Sequence, residues 1–177
     1  ITAYTGSEEA YSALEGLEQI YVETNNINEY IAYTKQLTHI NMHQVSSEDS
    51  LVYVTAELQY MLGNHQQAAA GFTTYLTSFC PGGRYCTNAT YYAANSFYQL
   101  KQFEEAIAQY SALADIQGNP YIEEACMRVA ELSYDKQEYR TALYYFQRMS
   151  EVASSNSKRT TALLGMLRCG SNIADKS

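Results

Sequence analysis

Gly63-Asn64-His65-Gln66-Gln67-Ala68, Lys101-Gln102-Phe103-Glu104-Glu105-Ala106 and Gln137-Glu138-Tyr139-Arg140-Thr141-Ala142 are three copies of one pattern. Each is a polar turn, a large side chain, two polar residues and an alanine. An aromatic stands four residues after each alanine (Phe72, Tyr110, Phe146), and another alanine stands twelve before it (Ala56, Ala94, Ala130). The copies recur 38 and 36 residues apart. A fixed period of this length marks a supersecondary unit that buries its apolar face by stacking on its neighbours. One period before Ala68 lies a degenerate first copy, Asn25-Asn26-Ile27-Asn28-Glu29-Tyr30, in which Tyr30 replaces the alanine and Thr34 the aromatic.

The composition around this pattern is that of a helical domain. The 177 residues are 46% apolar, enough for a sizeable core, and two prolines with nine glycines leave little of the punctuation a many-turned β-fold requires. Eighteen tyrosines and no tryptophan are the main compositional bias. The net charge is −8, which argues against nucleic-acid or anionic-membrane binding, both of which need basic patches. The excess lies in residues 1–60, where nine acids face a single base, Lys35. No apolar run approaches the roughly 18 residues of a membrane helix, so direct membrane insertion is not expected. The chain opens on Ile1 with no signal-like segment and reads as a piece of a longer protein.

With Ala56/Ala68/Phe72, Ala94/Ala106/Tyr110 and Ala130/Ala142/Phe146 at consensus positions 8, 20 and 24, the sequence resembles the tetratricopeptide repeat family over residues 8–174. The resemblance implies an all-α, right-handed superhelix of antiparallel hairpins, about nine helices in a single repeat domain over 1–177. The alanines would sit where paired helices approach most closely, with the aromatic filling the gap beside them. The copies exceed the 34-residue consensus, and only Pro81 and Pro120 fall near its terminal proline. The junction from Phe72 to Tyr85, through Leu76 and Phe79-Cys80-Pro81, is similar to that of bacterial periplasmic repeat proteins acting with outer-membrane machinery. That likeness implies a periplasmic or outer-membrane-associated location.

The pattern predicts hairpins over 7–40, 47–78, 84–115 and 120–153, with helices at 7–24, 27–40, 47–62, 65–78, 84–100, 103–115, 120–136 and 139–153, and a terminal helix at 157–174. Ser7 and Ser47, each followed by carboxylates, are expected N-caps. Asn119-Pro120 is expected to open the seventh helix. Tyr30, Phe72, Tyr110, Phe146, Phe103 and Tyr139 match the family's packing residues and are expected in the core. So are Cys126 and Cys169.

Little in the chain suggests catalysis. His39 and His43 share a helix face, but no catalytic carboxylate lies between them and no third ligand lies near, so no metal is expected. There is no nucleophile elbow, phosphate loop or triad, and the paired acids Glu104-Glu105 and Glu123-Glu124 suit first helical turns. No cofactor is expected and the chain reads as a non-enzyme. Cys80 and Cys86 bracket a short loop. They are either a disulfide, which a periplasmic location would favour, or two free thiols.

In the family's frame, the first helix of each hairpin turns positions 2, 5, 9 and 12 toward the concave face. This implies a partner-binding set of Tyr53, Glu57, Tyr60, Asn88, Tyr91, Asn95, Tyr98, Glu131 and Tyr134. Phenols bury ring area and still hydrogen-bond, so they serve as anchors for a partner or equally as packing between repeats. The reading is a non-catalytic scaffold that holds another protein or an extended peptide, a basic one given the acidic N-terminal third. Alternatively, the tyrosine-rich face stacks on glycan or cell-wall polymer, or the array is a spacer in a longer repeat protein.

Overall fold

A computed structural model describes residues 7–37 and 46–174 of the chain. Among the described residues there are nine α-helices and no strand. These are α1 (Glu8–Glu23), α2 (Ile27–Thr34), α3 (Glu48–Met61), α4 (His65–Phe79), α5 (Cys86–Gln99), α6 (Phe103–Ala114), α7 (Ile122–Asp135), α8 (Tyr139–Val152) and α9 (Asn156–Ala174). The chain forms two compact units, 1–92 and 93–177, divided within α5.

The all-α class and the hairpin order agree with the sequence pattern, and every helix except α2 ends within two residues of its expected bounds. Helix α2 was expected to reach residue 40 and instead stops at Thr34. Beyond that point the amides bond three residues back, Gln36 N to Tyr33 O and Leu37 N to Thr34 O, which tightens the coil and ends it. His39 and His43 lie outside the described residues.

All four hairpins, the degenerate first one included, turn by the same device. Asn25, Gly63, Lys101 and Gln137 take positive φ, at 58°, 76°, 60° and 61°. Behind each, the next amide reaches back five residues: Asn26 to Tyr21, Asn64 to Gln59, Gln102 to Phe97 and Glu138 to Ser133. This is a Schellman ending, which satisfies carbonyls the helix would otherwise leave bare and sends the chain back antiparallel. The polar residue opening each repeat copy is therefore the left-handed hinge of its hairpin.

Within the hairpins the alanines behave as the repeat predicts. Ala56, Ala68, Ala94, Ala106, Ala130 and Ala142 are all buried, as are Phe72, Tyr110 and Phe146. The approach at α3–α4 is close enough that a Cβ on Gly71 would come within 2.7 Å of the Ala56 Cβ. Gly165 of α9 lies against the Phe146 ring of α8, where an added Cβ would meet the ring at 2.6 Å. Small residues thus set the interhelical distance twice over. Phe103 departs from this scheme. Expected in the core, it is 41% exposed: it is the first residue of α6, and its ring meets Tyr98 edge-on at 5.9 Å. Tyr139, the equivalent first residue of α8, is half-buried against Tyr134.

Two of the expected caps work differently. Ser7 accepts from Ala10 N at 3.2 Å as anticipated. Ser47 occupies an N-cap position but donates its hydroxyl to Asp49 at 2.6 Å, and the Asp49 carboxylate takes the Ser50 amide instead. Helix α7 begins at Ile122, after Pro120. Asn119 there is a splice: its Oδ1 accepts from Tyr121 N while its Nδ2 donates to Leu113 O and Ile116 O at the end of α6. Arg148 of α8 closes the same helix end, donating to Ala114 O and Asp115 Oδ1 at 2.6 and 2.9 Å. The start of α7 is tied to α9 through Glu123, which pairs with Lys158 and accepts from Ser154 N at 2.8 Å. These partners, the Lys158 ammonium first, hold the Glu123 carboxyl below its usual range.

Candidate functional site

The two units place the expected partner-binding residues in different surroundings. In residues 1–92, Tyr53 is a core residue and only 3% exposed. It stacks on Tyr85 at 4.3 Å, meets Tyr75 edge-on at 5.7 Å, and donates its hydroxyl to Glu57 at 2.8 Å. Burial first, and then the Glu57 carboxylate, push its phenol well above the ordinary tyrosine value. The concave-face assignment of Tyr53 is therefore corrected. The loop after α4 folds back so that Tyr85 N donates to Tyr75 Oη at 2.9 Å, and Tyr85 then covers Tyr53. A disulfide between Cys80 and Cys86, with Cα atoms 5.7 Å apart, closes that loop.

Asn88 is half-buried near the Tyr53 phenol. Tyr60 and Tyr91 are half-buried around Tyr92, with ring centroids 4.9 and 5.4 Å from it. Tyr92, stacked at 5.6 Å on Phe72, is the centre of this cluster and was not singled out from the sequence. Its register, one residue past Tyr91, was the available signal.

In residues 93–177, Asn95 is spoken for: its Oδ1 accepts the hydroxyl of buried Tyr110 at 2.7 Å. Tyr98, Glu131 and Tyr134, by contrast, line one open groove of about 370 Å³. Its floor includes Leu132 and Phe146, and its far wall is α9, with Thr161, Gly165 and Arg168. The volume lies in the range of small-molecule and side-chain pockets, so it accommodates a short stretch of a partner and not a folded surface.

The rings are braced from behind. Arg128 sits 4.8 Å over the Tyr98 ring and is itself held by Glu131 at 3.5 Å and Glu124 at 4.0 Å. A cation over a ring in this position contributes about 0.5–1 kcal/mol. Tyr134 accepts from Asn172 Nδ2 at 3.1 Å and packs edge-on against Tyr139 at 5.3 Å. The groove's charged groups are less committed. Asp135 and Arg168 have no ion-pair partner among the described residues. Acid on the α7 wall, a cation on the α9 wall and two phenols between them form a surface that can pair with both charge signs and with peptide groups.

Asp135 and Arg168 escaped the sequence reading for separate reasons. Asp135 lies one residue past the last position of the borrowed face, and Arg168 is on the terminal helix, outside the repeat frame altogether. Among the described residues no cluster of His, Cys, Asp and Glu could hold a metal ion. Cys126 and Cys169 are buried free thiols whose burial raises their pKa, so they lack the exposed, thiolate-favouring setting of a reactive cysteine. No described helix is long and apolar enough to cross a membrane.

No family model and no curated protein matches the chain. Among solved structures, a Podosopora anserina chain of nearly identical TPR-like repeats, described as a kinesin light chain, superposes with a TM-score of 0.54 at 10% identity. That match spans 97% of this chain and 90% of the other. MamA, as the RS-1 ArsTM double mutant, superposes with a TM-score of 0.54 at 12% identity over 94% of this chain and 96% of that one. Identities this low speak to the fold alone. The chain has a TPR-like fold of antiparallel helix hairpins.

Proposed function

We propose that the chain is a non-catalytic scaffold whose groove between α7 and α9 holds an extended segment of another protein. The observation that carries this reading is the convergence of Tyr98, Tyr134, Glu131, Asp135 and Arg168 on one open cavity. The two rings supply apolar area with hydrogen-bonding edges. Glu131 and Asp135 favour a basic side chain in the segment, and Arg168 takes a carboxylate or backbone carbonyl. Tyr60, Tyr91, Glu57 and Asn88 form a secondary surface in the first unit. Tyr53 supports that surface from below and does not touch the partner. The TPR-like fold is consistent with such work, since stacked hairpins leave grooves lined by side chains of successive helices.

The Cys80–Cys86 disulfide favours an oxidising compartment, and with it a bacterial envelope location. Selection of the immobilised chain against a random-peptide display library tests the binding proposal. Enrichment of Lys- or Arg-containing segments that the folded Tyr98→Ala/Tyr134→Ala variant fails to retain is the expected result. Equal retention by wild type and variant, or no enrichment at all, would dismiss this groove.

A further inference from the structure

The first and last described helices carry opposite charge, and α9 exposes three leucines where α1 exposes one isoleucine. Helix α9 leaves Leu163, Leu164 and Leu167 exposed by 47%, 50% and 71%, and carries Lys158, Arg159 and Arg168 with no acid. Helix α1 leaves Ile20 exposed by 55%, and carries Glu8, Glu9, Glu15, Glu18 and Glu23 with no base. Three large leucines within five residues are more apolar area than an isolated surface side chain presents, and such patches mark interaction sites.

We infer that α9 of one copy of this chain docks on α1 of a second copy, a heterologous contact that α1 and α9 of further copies can extend. Three features choose this occupant. The charges of the two helices are complementary, whereas two α9 helices facing each other would bring like charges together. The α1 backbone is accessible: Gly16 is exposed with nothing near the place a Cβ would take, so a leucine side chain can lie against the helix beside Ile20. The registers match as well. With the helices antiparallel, Leu167 seats over Gly16, Leu163 lies beside Ile20 and Arg159 approaches Glu23, all on exposed faces. A heterologous contact of this kind builds rings or open chains of molecules, not closed two-fold dimers.

Sedimentation velocity of the 177-residue chain over a concentration series tests the inference. The average mass is expected to rise with concentration at low salt, with association about tenfold weaker in high salt as the Arg159–Glu23 attraction is screened. Leu167→Glu and Gly16→Gln, both at exposed positions and both checked for native helicity, should each remain monomeric alone. Mixed one to one, they should form a dimer that grows no further, because one good α9 remains to meet one good α1. A wild type that is monomeric at every concentration overturns the inference, as does a Gly16→Gln chain that still self-associates or a mixture that stays monomeric.

Discussion

Ser133 lies fully buried in α7, and its hydroxyl has no hydrogen-bond partner among the described residues. An unsatisfied buried hydroxyl costs on the order of 1–3 kcal/mol, more than its packing returns. Ser133→Ala is therefore expected to stabilise the protein by about 1 kcal/mol, read as a raised urea midpoint. Loss of stability would show that the hydroxyl has an acceptor. The buried tyrosines set a second expectation. Tyr30 and Tyr53 both have phenol pKa values raised far above the ordinary value, by burial first and by nearby carboxylates second. Between the unfolded value, about 10, and the folded one, the unfolded chain gives up protons that the native chain keeps, so stability falls as pH rises. The urea midpoint should hold up to about pH 9 and decline above about 10. Tyr53→Phe should flatten the decline while lowering the neutral-pH midpoint through loss of the bond to Glu57. An alkaline profile identical to wild type would show that Tyr53 ionises freely in the native state. Tyr53 also illustrates what a sequence hides: the repeat frame assigns it to the concave face, and in the fold Phe72, Tyr75 and Tyr85 pack around it.

At the scale of the element, the hairpin turns are the most regular feature of the chain, yet only one of the four uses glycine at its hinge. Lys101 and Gln137 hold the left-handed conformation that costs an L-residue about 1 kcal/mol or more. Lys101→Gly should stabilise by about 0.5–1 kcal/mol, less than the full strain because glycine also loosens the unfolded chain. A thermal melt of the variant checks this, and a lowered midpoint would mean that the Lys101 side chain makes a contact worth more than the strain. The turn positions were readable as polar punctuation at a constant spacing. The turn of the first, degenerate copy was readable too, from Asn25-Asn26 one period back, although Tyr30 and Thr34 obscure the alanine signal. Asn25 tolerates the left-handed hinge, and the turn survives where the interhelical packing residues have changed.

For the whole molecule, the four cysteines divide into one disulfide and two buried thiols. Alkylation of the denatured protein without reductant should label two cysteines, Cys126 and Cys169, and all four after reduction, as read by intact mass. Four labels without reductant would remove the Cys80–Cys86 bond and with it the support for an oxidising compartment. The charge of −8 is also a whole-molecule property, and its concentration in the first third places five glutamates on α1 against three cations on α9.

The spacing of alanine, aromatic and turn residues by itself determined the all-α class, the helices and their pairing, because helical period and side-chain size are local properties of a chain. Even the shortest of the described helices, α2, fell at the copy whose pattern was weakest. Which of the expected residues stay open and which are covered was decided only by the tertiary structure. The repeat frame assigns Tyr53, Asn95 and Tyr134 to one face, yet one is covered by a ring from beyond its hairpin, one is consumed by Tyr110, and one opens on a groove whose other wall is α9. Exposure depends on neighbours distant in sequence, and no spacing within a repeat encodes them.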